Sequence, residues 1–406
     1  MTKKSDAPAI RFKGFSDAWE QREVGDLLIE RSQQAPMSDE YPLMAFIANE
    51  GVAPKGERYD RSALVTDTVN KLYKKTEKGD FIYSSNNLET GSIGLNKYGK
   101  ACISPVYSIF EPTGIADSDF LGRRLVRKDF INAMVKWRQG VIYGQWRIHE
   151  SDFLKIEISV PSVEEQRKIG AYLDQLDNLI TLHQRKFEKL TNVKKSMLEK
   201  MFPQNGSSYP EIRFKGFTDP WEQRKVSDLA EKTYGGGTPT TSNEAYWNGD
   251  IPWIQSSDVV DGKLLGVEPR KWITQDGLNN SAAQLIPGNS IAIITRVGVG
   301  KLAFMPYSYA TSQDFLSLSK LNAEPLFTVY ACYKKLQSEL NAVQGTSIKG
   351  ITKDELLAKN IMVPRYAEQQ QIGAFFKQLD HLITLHQREL EKLQNIKKSM
   401  LEKMFV

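Results

Sequence analysis

The seven residues LITLHQR occur twice in this chain, at Leu179–Arg185 and at Leu382–Arg388. They are the seed of a longer repeat. Residues 156–203 read IEISVPSVEEQRKIGAYLDQLDNLITLHQRKFEKLTNVKKSMLEKMFP, and residues 359–406 read KNIMVPRYAEQQQIGAFFKQLDHLITLHQRELEKLQNIKKSMLEKMFV. Val160 pairs with Val363, an offset of 203. A second pair of blocks, IRFKGFSDAWEQREVGDL at 10–27 and IRFKGFTDPWEQRKVSDL at 212–229, repeats at an offset of 202. Two blocks that share nearly one offset predict a tandem of two half-molecules. The stretches between the blocks, 28–155 and 230–358, show little identity. A framework is therefore kept while two inserts differ. PQNGSSYP (Pro203–Pro210) joins the halves and reads as a loop from its Pro, Gly, Ser and Asn content.

The repeat that contains LITLHQR predicts a long helix over 162–201. Ser162 and Glu165 form a capping-box pattern just after Pro161; the second copy has Pro364-Arg365 there and lacks the serine. Apolar residues recur at steps of four and three: Ile169, Leu173, Leu176, Ile180, Phe187, Leu190, Met197, Met201. The second copy gives Ile372, Phe376, Leu379, Ile383, Leu390, Leu393, Met400, Met404. A heptad seam of this kind requires another helix against it, and its natural partner is its own duplicate. Four polar residues interrupt the seam at equivalent places: His183 and His386, Lys194 and Lys397. The histidines could be metal ligands or acid–base groups. With no carboxylate or second histidine at ligand spacing beside either one, they read instead as polar residues that fix helix register. The basic residues Arg185, Lys186, Lys189, Lys194, Lys195 and Lys200 alternate with acids, as on a solvated helix face; a partner-docking face is the alternative.

Each insert is about 130 residues, the size of a small domain. The second offers short apolar strands in DIPWIQSSDVV, SIAIITRVG, KLAFMP and DFLSLSKL, then an amphipathic helix in PLFTVYACYKKLQSELNAV. The first runs through YPLMAFIA, DFIYSS, CISPVYSIFEP and ADSDFLGRRLVRKDFINAMVKWRQG in a parallel order. One mixed α+β fold presenting two surfaces is the expectation. Polar and aromatic residues crowd the intervening loops, among them TYGGGTPTTSNEAYW, ITRVGVGK, VQGTSIKGIT, YSSNNLETGS and VIYGQWRIH. Such residues suit base edges and phosphates, and they also suit plain solvation of a loop.

Motifs of independent catalysis are missing from the sequence. VGVGKL has Gly300-Lys301 but Leu302 where a phosphate-binding loop needs Ser or Thr. YGGGTP precedes no strand–helix unit and reads as a flexible turn, and neither G-x-S-x-G nor HExxH occurs. Cys102 and Cys332 stand alone, with no spacing for a zinc or disulfide framework, which points to a reducing compartment. No run of eighteen apolar residues and no secretory leader pattern are found, so a cytoplasmic protein without a membrane partner is expected. A net charge of +5 and a pI of about 8.8 permit a nucleic-acid partner without requiring one.

In combination these features resemble the specificity subunits of type I restriction–modification systems. The resemblance rests on the doubled RF.GF...WEQR block, the doubled VP..EQ..I......LD.LI.LHQR helix and the divergent inserts, and it runs from about residue 10 to residue 406. GGGTPTTSNEAYWNGDIPWI is similar to the opening of a target-recognition domain of that family, whereas the first insert has RSQQAPMSDEYPLMAFIANEGV there. The resemblance implies a first target-recognition domain over 1–158, a helical spacer over 159–202, a second target-recognition domain over 203–361 and a second spacer over 362–406. It implies that the two spacers pair as an antiparallel coiled coil with pseudo-two-fold symmetry. The chain itself would be non-catalytic and bind no cofactor. Two modification subunits would use S-adenosylmethionine to methylate adenine, and two restriction subunits would use ATP and Mg2+. Each recognition domain would read one half of a bipartite site in double-stranded DNA. Candidate DNA-contacting residues are Tyr83, Asn86, Asn87, Gln145 and Arg147 in the first insert, and Thr238, Gln255, Arg296, Thr346, Ser347 and Lys349 in the second. A free-standing bipartite DNA-binding protein and a coiled-coil protein scaffold are the competing readings.

Overall fold

Both long helices form where the heptads predict, over Val163–Lys200 and Tyr366–Lys403, each of 38 residues. The computed structural model describes residues 7–54, 71–142, 145–204, 206–342 and 350–406. These divide into two compact units, one of Met1–Leu182 with Leu390–Val406, the other of His183–Glu389. Each unit thus takes the first part of one long helix and the last part of the other. Among the described residues no helix is long and apolar enough to cross a membrane.

The duplicated residues build the same joint in each unit. The capping box expected at Ser162 is only half made. Its hydroxyl accepts a long bond from the Glu165 N–H at 3.4 Å, but the Glu165 carboxylate turns away to the guanidinium of Arg11, at 2.9 and 2.6 Å. Glu368 takes Arg213 in the same two-pronged grip, at 2.8 Å twice. Both carboxylates are buried, so this is a bidentate anchor rather than a surface ion pair. The next residue, glutamine, bridges in both directions. Gln166 donates to Pro161 O at 3.0 Å and accepts from Asp117 N at 3.0 Å; Gln369 donates to Pro364 O at 2.8 Å and accepts from Glu324 N at 2.9 Å. Glycine follows four residues on because the insert presses there. A Cβ on Gly170 would lie 2.7 Å from Asp117 Oδ1, and one on Gly373 would lie 2.5 Å from Glu324 Oε2. The EQ...G pattern is therefore a seat for the insert.

The other duplicated block completes the joint. Strand Glu20–Glu23 pairs antiparallel with Glu157–Val160, and Glu222–Lys225 with Asn360–Val363, with Glu20 opposite Val160 and Glu222 opposite Val363. Trp19 and Trp221, just before these strands, are buried. Trp19 packs edge-on to Phe120, which stacks on Phe405; Trp221 packs edge-on to Phe202 and Phe327. Phe202 and Phe405 are themselves equivalent residues, the MF at each helix end. The backbone repeats the relation: Ile212 N donates to Lys200 O at 2.9 Å, and Ile10 N donates to Lys403 O at 3.0 Å.

Each insert is built on a four-stranded antiparallel sheet. In the first unit the order is Leu28–Glu30, Ser108–Pro112, Phe81–Tyr83, Ile93–Leu95; in the second it is Ala230–Gly235, Phe315–Leu321, Ser290–Ile294, Leu302–Met305. The strand orders correspond one to one, which is the shared fold expected from the parallel order of apolar segments. The helical segments differ. Pro325–Ala342 is one helix, whereas the first insert has two short ones, Ser118–Arg124 and Lys128–Val135.

The seams match the heptads. In the first unit Ile169, Leu173 and Leu176 share a core with Met404 and Phe405, with Leu393, Ile396 and Met400 packed on it. In the second, Ile372, Phe376 and Leu379 share one with Leu198 and Met201, with Leu190 and Met197 packed on it. The polar interruptions are paired. Lys194 Nζ meets Asp380 Oδ1 at 2.5 Å and donates to Gly262 O at 2.9 Å; Lys397 Nζ meets Asp177 at 2.5 Å. Asp380 also accepts from the Tyr330 hydroxyl at 2.6 Å, and burial with Asp380 beside it pushes that phenol well above its ordinary range. In the second unit His183 sits against His386, which together with the Lys194–Asp380 pair makes the helix segments antiparallel.

Candidate nucleic-acid interface

In the second unit the described candidate residues gather around the segment Gln313–Asp314. The turn from Ser290–Ile294 into Leu302–Met305 carries Arg296. It is pinned by Thr295, whose N–H and hydroxyl both donate to Asp314 O, at 2.8 and 3.0 Å. Gly298 and Gly300 close this turn at φ +91°, a conformation that a side chain opposes. The Asp314 carboxylate accepts from Ser256 at 3.1 Å and from Ser312 at 3.3 Å, which fixes the loop just after Gln255. Gln255 is half-buried, and its N–H donates to Asp258 Oδ2 at 3.0 Å. Thr238 is exposed, and its hydroxyl donates to Gln313 Oε1 at 2.6 Å. Arg296 is exposed, next to Val297 at 70% exposure. Thr238, Gln255 and Arg296 therefore stand on loops that Asp314 and its neighbours tie together. Thr346, Ser347 and Lys349 lie outside the described residues, although Ile351, just beyond them, donates its N–H to Thr295 O at 2.8 Å.

The YGGGTP stretch is not the flexible turn its composition predicts. Trp253 Nε1 donates to Gly237 O at 2.9 Å, and Gly237 N donates to Thr311 O at 2.8 Å. A Cβ on Gly236 would fall 1.8 Å from Ser312 O, and one on Gly237 would fall 2.2 Å from the backbone of Ala282. The glycines are there because two backbones must approach closely, and they make this edge rigid.

The first unit carries the corresponding edge. The loop after strand Phe81–Tyr83 holds Asn86 and Asn87, both exposed. Asn86 Oδ1 accepts from Trp146 N at 2.6 Å, and Ser85 Oγ accepts from Ile148 N at 3.1 Å. These bonds fix strand Gln145–Arg147, where Trp146 and Arg147 are exposed. Arg147 has a distant acid, Glu150, at 3.8 Å. The Arg138 guanidinium lies over the Trp146 ring, 5.9 Å from its centroid. Gln145 is in the strand, and its side chain lies outside the described ones. Ile148 and Ile351 occupy equivalent places at an offset of 203, and they fasten the loops that leave Phe81–Tyr83 and Ser290–Ile294. Tyr83 requires a correction. It is fully buried, stacked on Phe110 and packed on Phe153, with burial pushing its phenol well above the ordinary range. It forms the floor under the loop and cannot present its ring to a base.

Sequence reasoning also missed Asp314, Ser85 and Trp146, whose partners are far away in sequence. It missed the meeting of the two histidines as well. His183 Nδ1 and His386 Nδ1 are 3.1 Å apart, so the statement that neither has a second histidine beside it is overturned by the antiparallel pairing. Burial, His183 and Lys186 together lower the His386 pKa. Among the described residues no group of three or more potential metal ligands gathers.

Residues 17–192 and again 218–395 match the family described as type I restriction modification DNA specificity domain. The chain belongs to this family. The specificity subunit of the type I restriction enzyme MjaVIII from Methanocaldococcus jannaschii is 23% identical over 408 residues, covering 94% of this chain and 91% of that one. That of MjaIX, from the same organism, is 28% identical over 193 residues, 46% of this chain; the chain spans 44% of that relative's length. The crystal structure of the type I restriction–modification S subunit from M. genitalium superposes with a TM-score of 0.62 over 98% of this chain and 99% of that one. At 12% identity that likeness concerns the fold. The two family matches, one per half, agree with the doubled framework of this specificity protein, and each spans one insert and most of the long helix that follows it.

Proposed function

We propose that the chain reads a bipartite site in double-stranded DNA, one half-site per recognition domain. One observation carries this reading: both domains build the same loop edge on the same strand order but furnish it with different side chains. Asn86, Asn87 and Arg147 stand on one edge, Thr238, Gln255 and Arg296 on the other. Asn, Gln and Arg are the side chains whose donors and acceptors match base edges in the major groove. Unlike side chains on like scaffolds read unlike bases, so the whole site need not be palindromic.

The duplicated helices supply the rest of the reading. Leu179 and Leu182 on one helix, and Leu382 and Leu385 on the other, are 40–45% exposed apolar side chains outside the seam. We assign these equivalent faces to two modification subunits. Those subunits would hold S-adenosylmethionine and methylate an adenine flipped out of the duplex, chemistry that needs no catalytic group here. Two restriction subunits, working with ATP and Mg2+, would complete a cytoplasmic assembly. The length of the long helices would set the gap between half-sites, as subunit geometry sets half-site spacing in dimeric repressors.

The test is to map methylated adenines genome-wide in cells that carry the chain and its modification subunit. A two-part motif with a fixed gap is expected. Arg296→Ala should degrade one half, with a loss of about 1–3 kcal/mol in base discrimination, and leave the other half and the gap intact. Equal loss at both halves, or a single undivided motif, would contradict the proposal.

A further inference from the structure

Gln313 is the one exposed side chain in the segment Thr311–Phe315 that is otherwise buried or half-buried. The backbone beneath it is fastened on both sides. Thr311 O accepts from Gly237 N at 2.8 Å, Ser312 N donates to Ile254 O at 2.9 Å, and Asp314 O takes both donors of Thr295. The Ser312 and Asp314 side chains are spent on each other and on Ser256. Gly236 leaves no room for a shift, since its missing Cβ marks a backbone contact with Ser312 O. Only the amide of Gln313 projects outward. It does not swing freely, because the Thr238 hydroxyl holds its Oε1 at 2.6 Å. Its N–H2 is the group left to donate.

An exposed glutamine normally loses rotamer freedom when it binds. Here that ordering is already done by a neighbouring hydroxyl, on a segment that touches the loops of Gln255 and Arg296. Preorganised polar groups on rigid supports are what a specificity site requires. From this juxtaposition we propose that Gln313 is a base-reading residue of the second recognition domain and that Thr238 is its positioning residue. The ligand is the edge of one base pair carrying a hydrogen-bond acceptor for the amide N–H2. The proposal rests on the DNA-reading function above and names a residue for it.

The experiment maps methylated adenines in cells carrying the modification subunit with the wild-type chain, Gln313→Ala, Thr238→Val or Thr238→Ser. Gln313→Ala should make one position in a single half-site degenerate, with discrimination there falling roughly tenfold. Thr238→Val should relax the same position, and Thr238→Ser, which keeps the hydroxyl, should restore it. A Gln313→Ala motif identical to wild type overturns the assignment of Gln313 while leaving the bipartite reading standing. Absence of any two-part motif with the wild-type chain overturns both. If Gln313→Ala abolishes methylation altogether, the purified complex is titrated against duplexes varied one base at a time. Preference lost at one position supports the proposal, and uniform weakening across all positions overturns it.

Discussion

His183 and His386 show how one residue type acquires meaning from its neighbour. At 3.1 Å, one Nδ1 must donate and the other accept, which requires at least one neutral ring. Burial, the facing His183 and the nearby Lys186 all oppose a proton on His386. The sign follows directly. A histidine whose folded pKa lies below its unfolded value stabilises the fold above the ordinary value near 6.5, and that contribution is lost as pH falls through the folded pKa. The double variant His183→Leu/His386→Leu should therefore melt higher than wild type at pH 5. Between pH 7.5 and pH 5 it should also lose less in Tm than wild type does. Parallel Tm–pH curves for the two proteins would rule this out. Periodicity alone does not show the pairing, because residues 203 apart become neighbours only where antiparallel helices cross at equivalent positions. Tyr83 failed for the opposite reason. In DFIYSSNN it sits at the boundary between strand and loop, and alternation alone does not say that the strand is buried on both faces. Asn86, Asn87 and Arg296 were easier to place, because turn residues beside an apolar strand are exposed wherever the strand goes.

At the scale of the element, the long helices were the most legible part of the chain. Their seam, length and partner all follow from one periodicity. What periodicity could not show was how the polar interruptions are satisfied. Lys194 is mostly buried and spans from helix to helix, to Asp380, and from helix to insert, to Gly262 O. Breaking one side of such a buried pair leaves the other charge uncompensated, at a cost of about 3–5 kcal/mol. Lys194→Met should accordingly lower the denaturation midpoint sharply. Lys194→Met/Asp380→Asn should recover more than half of the loss, since a neutral side chain at 380 still accepts from Tyr330. Additive losses in the double variant would mean that the two residues act separately. The EQ...G seats were legible as a repeat but not as a mechanism, because Asp117 and Glu324 come from the inserts, where no identity between the halves guides the eye.

At the scale of the whole molecule, the duplicated framework carries a consequence for chain order. Ile212 follows Lys200 closely in sequence and bonds to it; Ile10 bonds to Lys403 in the same way although nearly the whole chain separates them. Phe202 lies against Trp221, and Phe405 reaches Trp19 through Phe120. The fold does not distinguish a joint made through a peptide linker from one made without it. Each unit closes the same joint between an IRFKGF block and the end of a long helix, whatever the order of the two halves in the chain. A rearranged chain that begins at Tyr209, runs to Val406 and continues through a short Gly/Ser link into Ala9, ending at Gln204, should fold to the same structure. It should melt within a few degrees of the parent and yield the same methylation motif with its modification subunit. A changed gap or a lost half-site would show that the order of the halves matters. With equivalent joints, each recognition domain is held by its own framework, whichever half the chain happens to write first.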